Sequence, residues 1–183
     1  MQFLGQAFKE ILTFIVLAII IVIPIRLFVA QPFVVEGESM APTFESGDYL
    51  IVDELTYRFS EPKRGDVVVF RYPNDPKVFY IKRIIGLPGE TVHIEAGKTT
   101  VTRTDGSAIE LDESYVVSED ATYSIDSALG SDEFFVMGDN RPRSSDSRVW
   151  GALPREDLMG RAYIRLLPAD MVGILPGAVQ ELQ

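Results

Sequence analysis

Twenty consecutive residues from Ile11 to Ala30, ILTFIVLAIIIVIPIRLFVA, carry one charge, Arg26. A helix rises about 1.5 Å per residue, so a run of about 20 apolar residues matches a hydrocarbon core about 30 Å thick. The run predicts one transmembrane helix. Pro24 falls in its last third and Arg26 near its end, where a kink is tolerated and a guanidinium can reach the headgroups. A cleavable signal peptide fits less well. Its apolar region spans about 7 to 15 residues, and Phe28 stands where a small-x-small cleavage pattern ending at Ala30 needs a small side chain. The expected organisation is a cytoplasmic N-terminus and anchor over residues 1–31, then an extracytoplasmic domain over residues 32–183.

The remaining composition narrows what that domain can be. A domain of about 150 residues buries a single sizeable core. Beyond residue 30 there are 15 Lys and Arg against 26 Asp and Glu, a net charge of -11. Nucleic acid is not an expected partner, because affinity for it depends on neutralising phosphates. The absence of cysteine excludes disulfides, thiolate metal sites and cysteine nucleophiles. The sole histidine, His93, alternates with Val92 and Ile94 and reads as a half-exposed strand residue. A Ser-His-Asp triad or a multi-histidine metal centre would have to use it, so a serine enzyme built from this chain calls for a lysine base and no metal or organic cofactor.

After Gln31 and Pro32, the apolar Phe33, Val34 and Val35 lead to the next chemical feature, Ser39, flanked by turn-forming residues in Gly37-Glu38-Ser39-Met40-Ala41-Pro42-Thr43. At about 3.3 Å per residue, Ser39 lies at most roughly 25 to 30 Å beyond the membrane exit at Gln31. Strand signals follow at 49–52, 66–72, 78–85, 91–95, 99–104, 108–111, 133–137 and 162–167, divided by turns such as 73–76, 87–89 and 105–106. The domain is expected to be mainly β. Residues 111–132, acidic and serine-rich, read as loop, and 154–158 as one helical turn opened by Pro154.

Two further stretches carry chemistry. In Tyr80-Ile81-Lys82-Arg83-Ile84-Ile85-Gly86, strand alternation puts Tyr80, Lys82 and Ile84 on one face. A strand lysine is ordinarily a solvated edge residue, but one held among Tyr and Ile side chains can lose its solvation and keep a neutral amine able to accept a proton. Gly138-Asp139-Asn140-Arg141-Pro142-Arg143-Ser144-Ser145-Asp146-Ser147-Arg148 crowds polar side chains into one loop, in which Asp146 and Arg148 can pair and a serine hydroxyl can orient an amine.

Together these stretches resemble the type I signal peptidases, membrane-bound Ser-Lys proteases that remove signal peptides. Ser39 through Thr43 is similar to that family's nucleophile box, Arg64 through Phe70 to its next box, Tyr80 through Glu90 to its lysine box, and Gly138 through Arg148 to its Gly-Asp-Asn-Arg box. Their order behind one anchor makes the resemblance specific. It implies a coiled antiparallel β-sheet Ser-Lys peptidase core with one N-terminal transmembrane helix. It further implies Ser39 as nucleophile, Lys82 as general base, Ser144 as a hydrogen-bond partner of the lysine amine, and Asp146 with Arg148 as a supporting ion pair. Some relatives carry a serine two residues before the nucleophile, whose hydroxyl assists the oxyanion. Gly37 stands there in this chain, which leaves a backbone hole led by the Ser39 N–H.

The expected partners are preprotein signal peptides, bound as extended strands with small residues before the cut, and the lipid bilayer. The expected location is the cytoplasmic membrane, single-pass, with the catalytic domain on the extracytoplasmic side. Two other readings remain at this point: a self-cleaving-repressor-like Ser-Lys protease, and an inactive membrane-tethered β-domain that binds peptides.

Overall fold

The computed structural model describes residues 6, 9–20, 30–118 and 121–179. Residues 9–20 are helical, with Phe14, Ile11 and Ile20 exposed. Among the described residues no helix is long and apolar enough to cross a membrane; residues 21–29 of the expected span lie outside them, and its last residue, Ala30, belongs to a strand.

The rest is built from two antiparallel sheets. The larger contains β1 (Ala30–Val34), β2 (Tyr49–Asp53), β3 (Val67–Tyr72), β4 (Asp75–Gly86), β9 (Glu133–Met137), β10 (Leu153–Pro154), β11 (Leu158–Leu167) and β12 (Gly173–Ile174). Its order is β1-β2-β11-β3-β4-β9-β10, with β12 paired to β11. The smaller contains β5 (Thr91–Glu95), β6 (Lys98–Thr102), β7 (Ala108–Glu110) and β8 (Ile125–Ala128), in the order β7-β6-β5-β8.

Hydrophobic alternation explains how the sheets meet. On β9, Phe134 and Val136 join Val68, Phe70 and Ile84 in one core cluster, while Phe135 and Met137 join Ile85, Val92, Ile94 and Val101 in another. Successive side chains of a strand point to opposite faces, so β9 is apolar on both faces from Phe134 to Met137, and these four residues are buried between the two clusters. The second cluster joins the small sheet to the large one. A third, formed by Val35, Met40, Phe44, Leu50, Val67 and Ala162, lies beneath the turn that carries Ser39.

The structure corrects the expected elements in several places: β11 starts at Leu158 rather than 162, and the two-residue strands β10 and β12 were not expected. The hairpin between β3 and β4 closes at Tyr72 and Asp75, so Pro73 and Asn74 alone form the turn and β4 starts earlier than expected. β8 lies inside the stretch read as loop; it pairs only with β5 and alternates weakly between half-buried and exposed residues. The turn at 154–158 is a 3-10 helix, Arg155–Asp157, with Pro154 preceding it as cap rather than opening it.

Candidate active site

Ser39 sits on the turn between β1 and β2, held from below by its apolar neighbours. Met40 and Phe44 are buried, and the Phe44 N–H donates to Met40 O at 2.9 Å. Arg165 of β11 donates to Thr43 O and lies over the Phe44 ring. The hydroxyl therefore projects from a fixed turn toward β4.

Lys82 meets it there, with Nζ 2.8 Å from Ser39 Oγ and 2.9 Å from Ile81 O. β3 and β4 pair without a break from Val67–Arg83 to Arg71–Phe79, so the position of Lys82 is set by sheet register. The side chain passes the Tyr80 ring, and the residue is 3% exposed. Burial pushes the amine down to about 8 against the opposing pull of the Asp146 and Asp139 carboxylates. At that value a substantial share of the amine is neutral near pH 8, with a lone pair to take the Ser39 proton.

The last loop closes the site from the other side. Asp146 accepts from Arg148 Nε at 2.8 Å and Nη2 at 2.9 Å, and from the Gly138 N–H at 3.0 Å. Both side chains are buried. Asp146 also caps the one-turn helix Ser147–Trp150 by accepting from the Arg148 N–H. The Asn140 N–H donates to Ser39 O and its Nδ2 to Glu38 O, each at 3.0 Å, tying this loop to the nucleophile turn.

Ser144 departs from expectation. Its Oγ is buried and makes no hydrogen bond among the described residues, to the Lys82 amine or to any other group. It packs instead against Gly138, where an added Cβ would lie 2.3 Å from Ser144 Oγ and 2.4 Å from Ser39 O. Only a residue without a side chain fits between them. Gly37 has φ of +90°, so the segment is not extended there, and strand alternation does not carry a residue-37 side chain to the face of Ser39. The Ser39 N–H itself makes no hydrogen bond among the described residues and stands available to an oxyanion.

Reasoning from sequence missed a fully buried ion pair at the centre of the site. Arg83 Nε and Nη2 grip Asp139 at 2.9 and 2.6 Å, and Thr43 Oγ1 donates to the same carboxylate at 2.6 Å. This network joins three of the sequence boxes, and the signal for it was the charge next to Lys82 and the acid next to Gly138. His93 lies apart on β5, its Nδ1 bonded to Asp126 and its Nε2 3.2 Å from Thr102 Oγ1.

Beside Ser39 runs a groove of about 590 Å³, lined on one side by Phe33 through Glu38 and on the other by Lys77 through Lys82. Among the described residues β1 pairs with β2 alone, and β9 pairs with β4 only from Arg83 onward, so both walls offer unpaired strand edges.

A serine hydroxyl on a buried, partly neutral amine beside two free strand edges has the parts of a serine-lysine peptidase. The chain belongs to the signal peptidase family, peptidase S26, whose profile matches residues 8–167, and is a serine peptidase. A probable signal peptidase I-2 of Synechocystis sp. is 41% identical over 87% of this chain and 73% of that protein. A probable signal peptidase I-1 of the same organism is 37% identical over 93% and 88%. A crystal structure of a signal peptidase I from Enterococcus faecalis aligns with 56% of this chain and 97% of that one, at 29% identity and a TM-score of 0.47.

Proposed function

We propose that the protein removes signal peptides from exported preproteins with Ser39 as nucleophile and Lys82 as general base, the contact of 2.8 Å between Lys82 Nζ and Ser39 Oγ being the observation that carries the reading. The substrate enters as an extended strand between β1 and β4, and main-chain hydrogen bonds to the two edges supply affinity. Neutral Lys82 takes the Ser39 proton as Oγ bonds to the scissile carbonyl carbon. The Ser39 N–H stabilises the oxyanion. Collapse breaks the C–N bond, and the Lys82 ammonium gives its proton to the departing nitrogen, leaving an acyl-enzyme and a neutral amine. Lys82 then deprotonates the attacking water, and its proton returns to Ser39 Oγ as the ester breaks.

Ser144, Asp146 and Arg148 support this chemistry. The Asp146–Arg148 pair fixes Gly138, and the Ser144 side chain fills the space beside it. Leu50, Val69 and Ile81 line the groove and restrict its depth, which fits small residues before the cut. The apolar run that starts at Ile11 serves as a single-pass anchor in the cytoplasmic membrane. The anchor ends before Ala30, two residues earlier than expected, because Ala30 and Gln31 pair with Asp53 and Val52 as the start of β1; the extracytoplasmic catalytic domain begins there, within reach of a substrate still held in the bilayer.

The test is incubation of the detergent-solubilised full chain with a model preprotein bearing an Ala-x-Ala site, followed by N-terminal sequencing of the product. Cleavage after the second alanine, lost in Ser39→Ala, is expected. An uncut preprotein, or a Ser39→Ala variant as active as the parent, would contradict the reading.

A further inference from the structure

Gly177 lies beyond the residues matched by the family profile, and none of the sequence boxes reaches it. Its segment leaves the large sheet at β12, which pairs with β11 through Ile164–Ile174 and Arg165–Gly173. Leu175 then donates its N–H to Tyr163 O at 2.6 Å, and the chain passes against the nucleophile turn before Val179 packs on the core of the small sheet.

At that crossing Arg83 Nη1 donates to Gly177 O at 2.6 Å and to Gly65 O at 2.9 Å, while its other nitrogens hold Asp139. Gly177 has φ of +76°. A Cβ there would lie 2.6 Å from Thr43 Cγ2, 3.1 Å from Phe44 Cε2 and 3.4 Å from Val67 Cγ2. Close approach and left-handed backbone both require glycine.

We infer that Gly177 is a positioning residue for the reaction: its segment braces the Thr43–Asp139–Arg83 network, which sets the Ser39 hydroxyl against the Lys82 amine. Each member of the network adjoins a reacting group. Arg83 follows Lys82, Thr43 shares the turn of Ser39, and Asp139 lies between Gly138, which packs on Ser39 O, and Asn140, which donates to it. None of Gly177, Thr43, Phe44 and Arg83 lines the groove. Displacement at Gly177 therefore reaches the contact between Ser39 and Lys82 and spares substrate binding. The inference rests on the Ser39–Lys82 reading of the chemistry.

The experiment is a double-mutant cycle with steady-state kinetics on the full chain, at a temperature where every variant is folded by near-ultraviolet circular dichroism. Gly177→Ala is expected to lower kcat at least about tenfold with KM within about twofold, because misplacing reacting groups by a fraction of an ångström acts on turnover. Thr43→Ser removes the methyl in the path of the new Cβ and keeps the hydroxyl that donates to Asp139. On that background the loss in kcat caused by Gly177→Ala should be at least about fivefold smaller, the signature of coupled neighbours.

Backbone strain alone would give the same loss on both backgrounds, and that result overturns the inference, as does unchanged kcat or an effect confined to KM. Ser39→Ala, assayed alongside, separates the two claims. Retained activity there defeats the dyad, whereas an inactive Ser39→Ala with uncoupled Gly177→Ala defeats only the positioning role.

Discussion

Lys82 and Lys98 are both strand lysines in antiparallel sheets, and their surroundings give them opposite characters. Lys98, on the small sheet, is largely exposed and pairs with Glu110 at 2.8 Å. Lys82, on the large sheet, is buried and forms no salt bridge among the described residues. The carboxylates nearest to it are already taken: Asp139 by Arg83, and Asp146 by Arg148. Guanidinium groups remain charged at any working pH, whereas a buried ammonium can give up its proton. Arginine thus supplies the fixed charge around the site, and the lysine is left as the group that can titrate. Burial without a salt-bridge partner is what separates a base from a surface cation.

Removing the proposed base or nucleophile should have the largest effect. Ser39→Ala and Lys82→Ala should each lower kcat/KM at least about 10³-fold, and the double variant should lose little more, because residues acting as a unit are not additive. His93→Ala, on the small sheet, should stay within about twofold of the parent, since its ring lies outside the network. A histidine variant as damaged as Lys82→Ala would break the contrast between the sheets.

Stability should divide the same way. Asp146→Ala leaves the Arg148 guanidinium buried without its carboxylate and should cost about 3 to 5 kcal/mol in denaturant titration. Glu110→Ala removes only an exposed partner of Lys98 and should cost less than about 1 kcal/mol. Equal costs would show that burial does not distinguish the pairs.

A smaller effect is expected at Gly37. Its positive φ strains any side chain by about 1 to 2 kcal/mol, so Gly37→Ala and Gly37→Ser should lower turnover alike although the space around them is open. Serine outperforming alanine would indicate that its hydroxyl reaches the oxyanion after all.

How far the sequence could lead follows from the range of the forces involved. Period-two apolar patterns marked most strands, and the box residues Ser39 and Lys82 were legible because their chemistry is local to short motifs. β8 was not, since a half-exposed edge strand carries little hydrophobic signal. The Arg83–Asp139 pair spans 56 residues and the Arg83–Gly177 contact 94, distances over which composition says nothing about partners. Ser144 is a different case: a loop hydroxyl can turn toward several neighbours, so its sequence position does not fix a partner, and its Oγ has none among the described residues.

The pH dependence of kcat/KM tests the central claim most directly. A base whose pKa is lowered to about 8 is active when deprotonated, so activity should be present above that value and be lost as pH falls through it. The profile should therefore rise on an ascending limb near pH 8 that belongs to the Ser39–Lys82 pair as a coupled system. That limb should persist unchanged in His93→Ala. A profile flat from about pH 6 to 9, or a limb near pH 6.5 that disappears in His93→Ala, would contradict a lysine base.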